Sequence, residues 1–188
     1  GALLLPHVEE ILLKHDHLKL HLAKAKQAPV GNVRIATVYS VGMYELAPFF
    51  KKFIRTYPDI HIELQYRRSD MIYDLILEHK IDLGIVAYPE ARAKIKLIPF
   101  GTDRLVLIVP PHHRLAKRKR IQLRKIDGEH FIAFDRGIPT REAIDHVLEQ
   151  LGIKVRVRMT HEHIDTLKSA VEVGVGISIV PSKPVTEE

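Results

Sequence analysis

Apolar positions change their spacing along the chain, and each change marks an element. Val33, Ile35, Thr37 and Tyr39 alternate with Arg34, Ala36 and Val38, the period of a pleated strand. Leu46, Phe49, Phe50, Phe53 and Ile54 then recur at three and four residues, predicting a helix that lays its apolar stripe on a sheet. Ser40 stands where the two periods meet, in a tight turn over residues 40–42. Its hydroxyl is expected to cap the helix. The backbone N–H groups of Val41, Gly42 and Met43 are expected to form a small cradle for a carboxylate or phosphate oxygen.

The same unit recurs. Alternation over Ile60, Ile62, Leu64 and Tyr66 predicts a strand, and residues 71–79 a helix capped by Ser69 or Asp70. The wholly apolar run 83–87 predicts a strand buried on both faces. Further strands are expected over 95–100, after which Gly101 breaks the pattern, and over 105–109. A second set follows: a strand over 131–134, a polar turn over 135–139, and a helix capped by Thr140 and stopped by Gly152. A strand through Val155, Val157 and Met159, a helix over 162–173 and a short apolar strand over 177–180 complete it. The fold class is therefore α/β, with two βαβαβ halves connected by right-handed crossovers.

Two such halves leave a ligand cleft at the carboxyl ends of their strands. The turns expected to face it hold Ser40 to Gly42, Arg67 to Asp70, Ala87 to Pro89 with Tyr88, Asp135 to Thr140, and Thr160 to Glu162 with His161. Arg67, Arg68, Arg136 and Arg141 among them make a small anion the expected guest.

Ahead of the globular part, Leu4, Val8, Ile11, Leu18 and Leu22 step by four and three, with His15 filling the one skipped position. That is a heptad seam, narrower than the stripe of a helix on a globule, and it predicts a linker helix over 1–27 that dimerises. Packing against the chain's own body is the alternative. Pro29 and Gly31 mark the break that follows.

Composition narrows the classes. The 188 residues contain no cysteine, which excludes disulfides, thiolate metal sites and cysteine nucleophiles. The apolar runs are far below the roughly 20 residues of a spanning helix, so no membrane partner is expected. Much of the formal net charge of +6 lies in HHRLAKRKRIQLRK, residues 112–125. A nucleic-acid patch and a solvated surface segment are both open for it. The absence of interleaved aromatics and of a helix-turn-helix pattern favours the second.

Catalytic signatures do not assemble. His161-Glu162-His163 lacks the spacing that puts two imidazoles on one helix face. His17 and His21 have it, but no third ligand is in view. Gly174 and Gly176 precede a strand and not a helix, so they are no dinucleotide fingerprint. No enzyme, metal or cofactor is expected.

Five stretches in order resemble the LysR-type transcriptional regulators: GALLLPHVEEILL, GNVRIATVYSVGMYELAPFFKKFIRTYPDIHIEL, DLILEHKIDLGIVAYP, DRLVLIVPPHHRLAKRK and LKSAVEVGVGISIVP. The resemblance covers nearly the whole chain. It implies two subdomains of the type II periplasmic-binding-protein architecture, 31–101 and 102–181, with 182–188 starting a return segment to the first. It also implies that Ser40 and Ser69 contact an effector, that Phe134, Asp135 and Arg136 face them, and that linker helices of two copies pair. The family's winged helix-turn-helix head has no counterpart here, so the expectation is a cytoplasmic regulatory fragment that meets DNA only through that head. A homodimer is implied, and tetramers are compatible with it. A solute-binding protein of a transport system is the rival with the same architecture; it would have no use for a heptad linker.

Overall fold

The computed structural model describes residues 7–15 and 29–186. Residues 7–15 are helical, with Val8 and Ile11 exposed and Lys14 paired to Glu10 at 2.8 Å one turn earlier. His15 is exposed too. Leu4, Leu18 and Leu22 lie outside the described residues.

Lobe I is a parallel three-stranded sheet in the order β2-β1-β3. Strand β1 (Gly31–Thr37) is central, flanked by β2 (Ile60–Tyr66) and β3 (Leu83–Ile85). Helices α1 (Tyr39–Tyr44) and α2 (Ala47–Thr56) connect β1 to β2, and α3 (Ser69–Leu77) connects β2 to β3. The sequence pattern predicts one helix where α1 and α2 stand. Pro48 separates them, because it has no N–H to offer the Tyr44 carbonyl and its ring clashes with a continuing turn.

Lobe II has β4 (Leu105–Ile108), a 3-10 turn (Leu123–Ile126), β5 (His130–Phe134), α4 (Pro139–Gln150), β6 (Arg156–His161), α5 (Ile164–Glu172), β7 (Ser178–Pro181) and α6 (Lys183–Thr186). Strands β5 and β6 are parallel, and β4 and β7 antiparallel. A bridge between Phe131 and Ile177, with the Ser178 hydroxyl donating to the Ile132 carbonyl at 2.7 Å, joins β7 to β5. Gly176 sits at that junction. A β-carbon there would stand 2.5 Å from the His130 carbonyl oxygen, a backbone atom that cannot move aside. Gly176→Ala is therefore expected to lower stability by about 1–3 kcal/mol, read from urea unfolding; an unchanged midpoint would mean that the strand shifts freely.

The two cores differ in size. In lobe II, Phe131, Ile132, Leu167, Val180 and their neighbours form one large buried cluster. In lobe I only Ala36, Ile72 and Ile81 make up the buried cluster. The other face of the lobe I sheet, with Val33, Ile35, Ile62 and Leu83, meets Phe49, Phe50 and Phe53 of α2 across an open apolar groove of roughly 520 Å3.

Two strand expectations change accordingly. The strand expected over 83–87 ends at Ile85, and Leu83 is half exposed because its outer side opens onto the groove. Residues 95–100 form no strand. Among the described residues no backbone hydrogen bond ties 96–100 to a neighbour, so the alternation finds no sheet edge; Ile98 is exposed, and Phe100 lies against Phe49.

Candidate functional site

At the carboxyl ends of β1, β2, β5 and β6 the chain enters α1, α3, α4 and α5, and the four helix starts surround one cavity of roughly 280 Å3. None of the four has a side-chain cap. The flanking residues Val38, Arg68, Ile138 and His163 are extended, leaving first-turn backbone donors for an occupant. The expected caps are displaced for a common reason. Ser40, Ser69 and Thr140 each fall within the first helical turn and not before it, so their hydroxyls cannot fold back as an N-cap does.

Lobe I contributes Tyr39, Ser40, Tyr66, Arg67, Arg68 and Ser69 to the cavity wall, with Val38, Met71 and Ala87 as apolar floor. Lobe II contributes Phe134, Ile138, Thr140, Glu162, His163 and Pro181. Arg68 reaches across. Its Nη2 lies 3.0 Å from where a β-carbon on Gly137 would be, and Gly137 has the left-handed φ of +79° that only glycine adopts without strain. A larger residue at 137 would push the guanidinium aside. Arg68 is only loosely held on its own lobe, with Nε 3.5 Å from Asp70.

Ser40, Arg68, Ser69 and Phe134 are thus brought together as expected from the sequence, and six other expected residues are not part of the wall. Val41 and Gly42 are buried behind it. The Gly42 N–H donates to the Val38 carbonyl at 3.1 Å, so the free donors of this turn lie earlier, at Tyr39 and Ser40. Tyr88 is half exposed in a left-handed turn outside the cavity. Asp135 makes the turn itself: its N–H donates to the His161 carbonyl, and its carbonyl accepts from Ile138. Arg136 is exposed. His161 stands one position back, its Nδ1 accepting the His163 N–H at 3.0 Å, so it supports His163 from behind the wall. Arg141, also counted as a possible anion ligand, is buried and engaged: it donates to the Phe134 carbonyl at 2.8 Å and pairs with Asp145 at 2.6 Å.

Thr140 and Glu162, within turns expected to face the cleft, lie on the wall, and Tyr39, Tyr66 and His163 join it without standing among the expected ligand-contacting residues. Tyr39 and Tyr66 had a signal, since each ends an alternating run in the sequence; Tyr66 closes β2, whereas β1 stops at Thr37 and Tyr39 opens α1. His163 had none beyond the His-Glu-His run.

The lobes also touch directly. The Tyr44 hydroxyl donates to the Asp165 carboxylate, and Lys183 pairs with Glu45. The Tyr39 ring lies 4.6 Å from that of His163 and 5.5 Å from that of Tyr66. Burial, followed by the charge of Asp165 and a hydrogen bond to it, pushes the Tyr39 phenol above its ordinary value. The phenol therefore stays a neutral donor at physiological pH. Among the described residues no cluster of three or more histidine, aspartate or glutamate side chains could hold a metal, and no helix is long and apolar enough to cross a membrane.

A family model described as the LysR substrate binding domain matches residues 26–188. The HTH-type transcriptional regulator CysL of Bacillus subtilis is 23% identical over 96% of this chain and 60% of its own length, so the chain spans less than two thirds of that relative. The CcmR regulatory domain of Synechocystis PCC6803, solved in complex with 2-PG, superposes with a TM-score of 0.77 at 26% identity, covering 84% of this chain and 76% of that one. The effector-binding domain of QuiR in complex with shikimate gives 0.74 at 25%, covering 81% and 74%.

Proposed function

The chain belongs to the LysR substrate-binding-domain family, and from that premise we propose that it is the effector-sensing and dimerising part of a cytoplasmic, DNA-binding transcription regulator. The observation that carries the reading is the convergence of four uncapped helix starts, the Ser40 and Ser69 hydroxyls and Arg68 on one cavity between two lobes. Such a site offers backbone donors and two arginines, Arg67 and Arg68, on largely apolar walls. It suits a small organic anion whose charged end meets Arg68 and Ser69 and whose body lies against Phe134, Met71 and Ile138. A relative bound to 2-PG and another bound to shikimate support an anionic effector. That the relatives regulate transcription favours this reading over a transport receptor and over an enzyme.

In this reading, residues 31–101 and 102–181 are the two subdomains. An anion contacting both would favour one closure angle over another, and the Tyr44–Asp165 contact between them would set the resting angle. A coupling of about 1–3 kcal/mol is sufficient to shift such an equilibrium. The exposed seam residues Val8 and Ile11 would pair with a second copy and carry the difference onward.

Calorimetric titration with 2-PG and shikimate tests the site. Ser40→Ala and Ser69→Ala are each expected to weaken binding by about 0.5–1.5 kcal/mol, and affinity unchanged in both would remove the cleft from this role. Sedimentation tests the pairing: Ile11→Asp is expected to convert a dimer to a monomer, and a wild-type monomer would refute it.

A further inference from the structure

The basic stretch 112–125 plays no part in the cavity, yet it is held as a defined surface. Leu115 and Ile126 anchor it in the lobe II core, while Lys117, Arg118, Lys119, Arg120, Arg124 and Lys125 are exposed. Arg114 closes the stretch on itself, donating to the Lys125 carbonyl at 2.6 Å and pairing with Glu129 at 2.7 Å. The start of β6 borders it. The Arg156 N–H donates to the Glu129 carbonyl at 2.8 Å, and the Lys154 N–H to an Asp127 carboxylate oxygen at 2.7 Å. Lys154, Arg156 and Arg158 are exposed as well.

Charge is segregated on this face. Neither 112–125 nor 153–160 contains an aspartate or glutamate, and their lysines and arginines outnumber the whole net charge of +6, so the rest of the chain is net negative. The bordering acids are already engaged. Burial pushes the Glu129 carboxyl up, but the Arg114 hydrogen bond and the charges of His113 and Arg114 outweigh it and hold the group below the ordinary value. Among the lysines and arginines of the face, Arg114 is the one in an ion pair among the described residues. Self-repulsion of this kind is relieved when a polyanion binds. Arg156 and Arg158 also guard the free edge of β6 against pairing with another strand, but that leaves the 117–120 run unexplained.

We propose that this face docks the phosphate backbone of double-stranded DNA without reading its sequence. Single strands are the poorer fit, because no Phe, Tyr or Trp lies in either stretch to stack on bases. An acidic protein is also the poorer fit, because stable protein interfaces depend on aromatic anchors that the face lacks. The 3-10 turn of four residues is too short to fill a major groove, which leaves backbone contact as the mode. The inference is independent of the cavity.

The test is fluorescence anisotropy of a labelled DNA duplex of arbitrary sequence, titrated with the 188-residue chain between 50 and 200 mM salt. Affinity is expected to fall with salt with a log–log slope of roughly −4 or steeper, at about −0.9 per phosphate neutralised. Lys119→Glu with Arg120→Glu, and separately Arg156→Glu with Arg158→Glu, are each expected to lose roughly tenfold or more at low salt. Each pair should flatten the slope by about one per residue. Lys51→Glu with Lys52→Glu on α2 changes the net charge equally and is expected to cost less than about twofold. Equal losses in all three pairs, or none in the first two, would overturn the proposal. Tighter binding to polyglutamate than to the duplex at matched salt would do the same.

Discussion

Leu167→Ala is expected to lower the unfolding free energy by about 2–5 kcal/mol. Leu167 is fully buried on α5, in the cluster that includes Phe131, Ile132, Ile164 and Val180. Truncation removes its transfer free energy and leaves a cavity that close-packed neighbours on β5 and β7 cannot fill, because those strands are fixed by the Phe131–Ile177 bridge and the Ser178 hydrogen bond. Urea unfolding followed by circular dichroism measures it. A loss below about 1 kcal/mol would mean that the lobe collapses around the gap, contrary to a close-packed core. The effect is large because, among the described residues, lobe II holds most of the buried apolar side chains, whereas the buried cluster of lobe I is Ala36, Ile72 and Ile81.

Arg68→Ala is expected to weaken binding of an anionic effector by roughly 10- to 100-fold, the equivalent of about 1.5–3 kcal/mol for a hydrogen bond to a charged group. Of the four arginines near the cleft turns, Arg141 is paired with Asp145 and Arg136 is exposed away from the cavity, which leaves Arg67 and Arg68 on the wall. Arg67 donates to the Tyr66 carbonyl at 2.8 Å, whereas Arg68 spans the lobes toward Gly137. Titration with whichever of 2-PG or shikimate binds the wild-type chain separates them. Arg136→Ala should leave affinity within about twofold. If Arg136→Ala weakens binding and Arg68→Ala does not, the anion lies outside this cavity.

The element order was legible because it rests on local periodicity. Val33 to Tyr39 alternate whatever they pack against, and the stop at Gly152 needs only its left-handed φ of +67°. Where the pattern misled, a partner was at issue. Ile95 to Phe100 alternate like a strand but find no edge to pair with, and the apolar run 83–87 implies two covered faces where one opens onto a groove. A pattern records that a face is apolar and not what lies against it.

The sequence by itself determined two α/β halves, their cleft at the strand ends and, through five ordered stretches, the family. The tertiary structure decided which side chains reach the cavity. A helix turns about 100° per residue, so starting α1 at Tyr39 instead of after Ser40 moves Val41 and Gly42 from the wall into the interior and brings Tyr39 forward. The same dependence on exact entry puts His163 on the wall with His161 behind it, and turns Arg141 inward to Asp145. The Tyr44–Asp165 contact between the lobes joins residues 121 positions apart, a separation that no local spacing encodes.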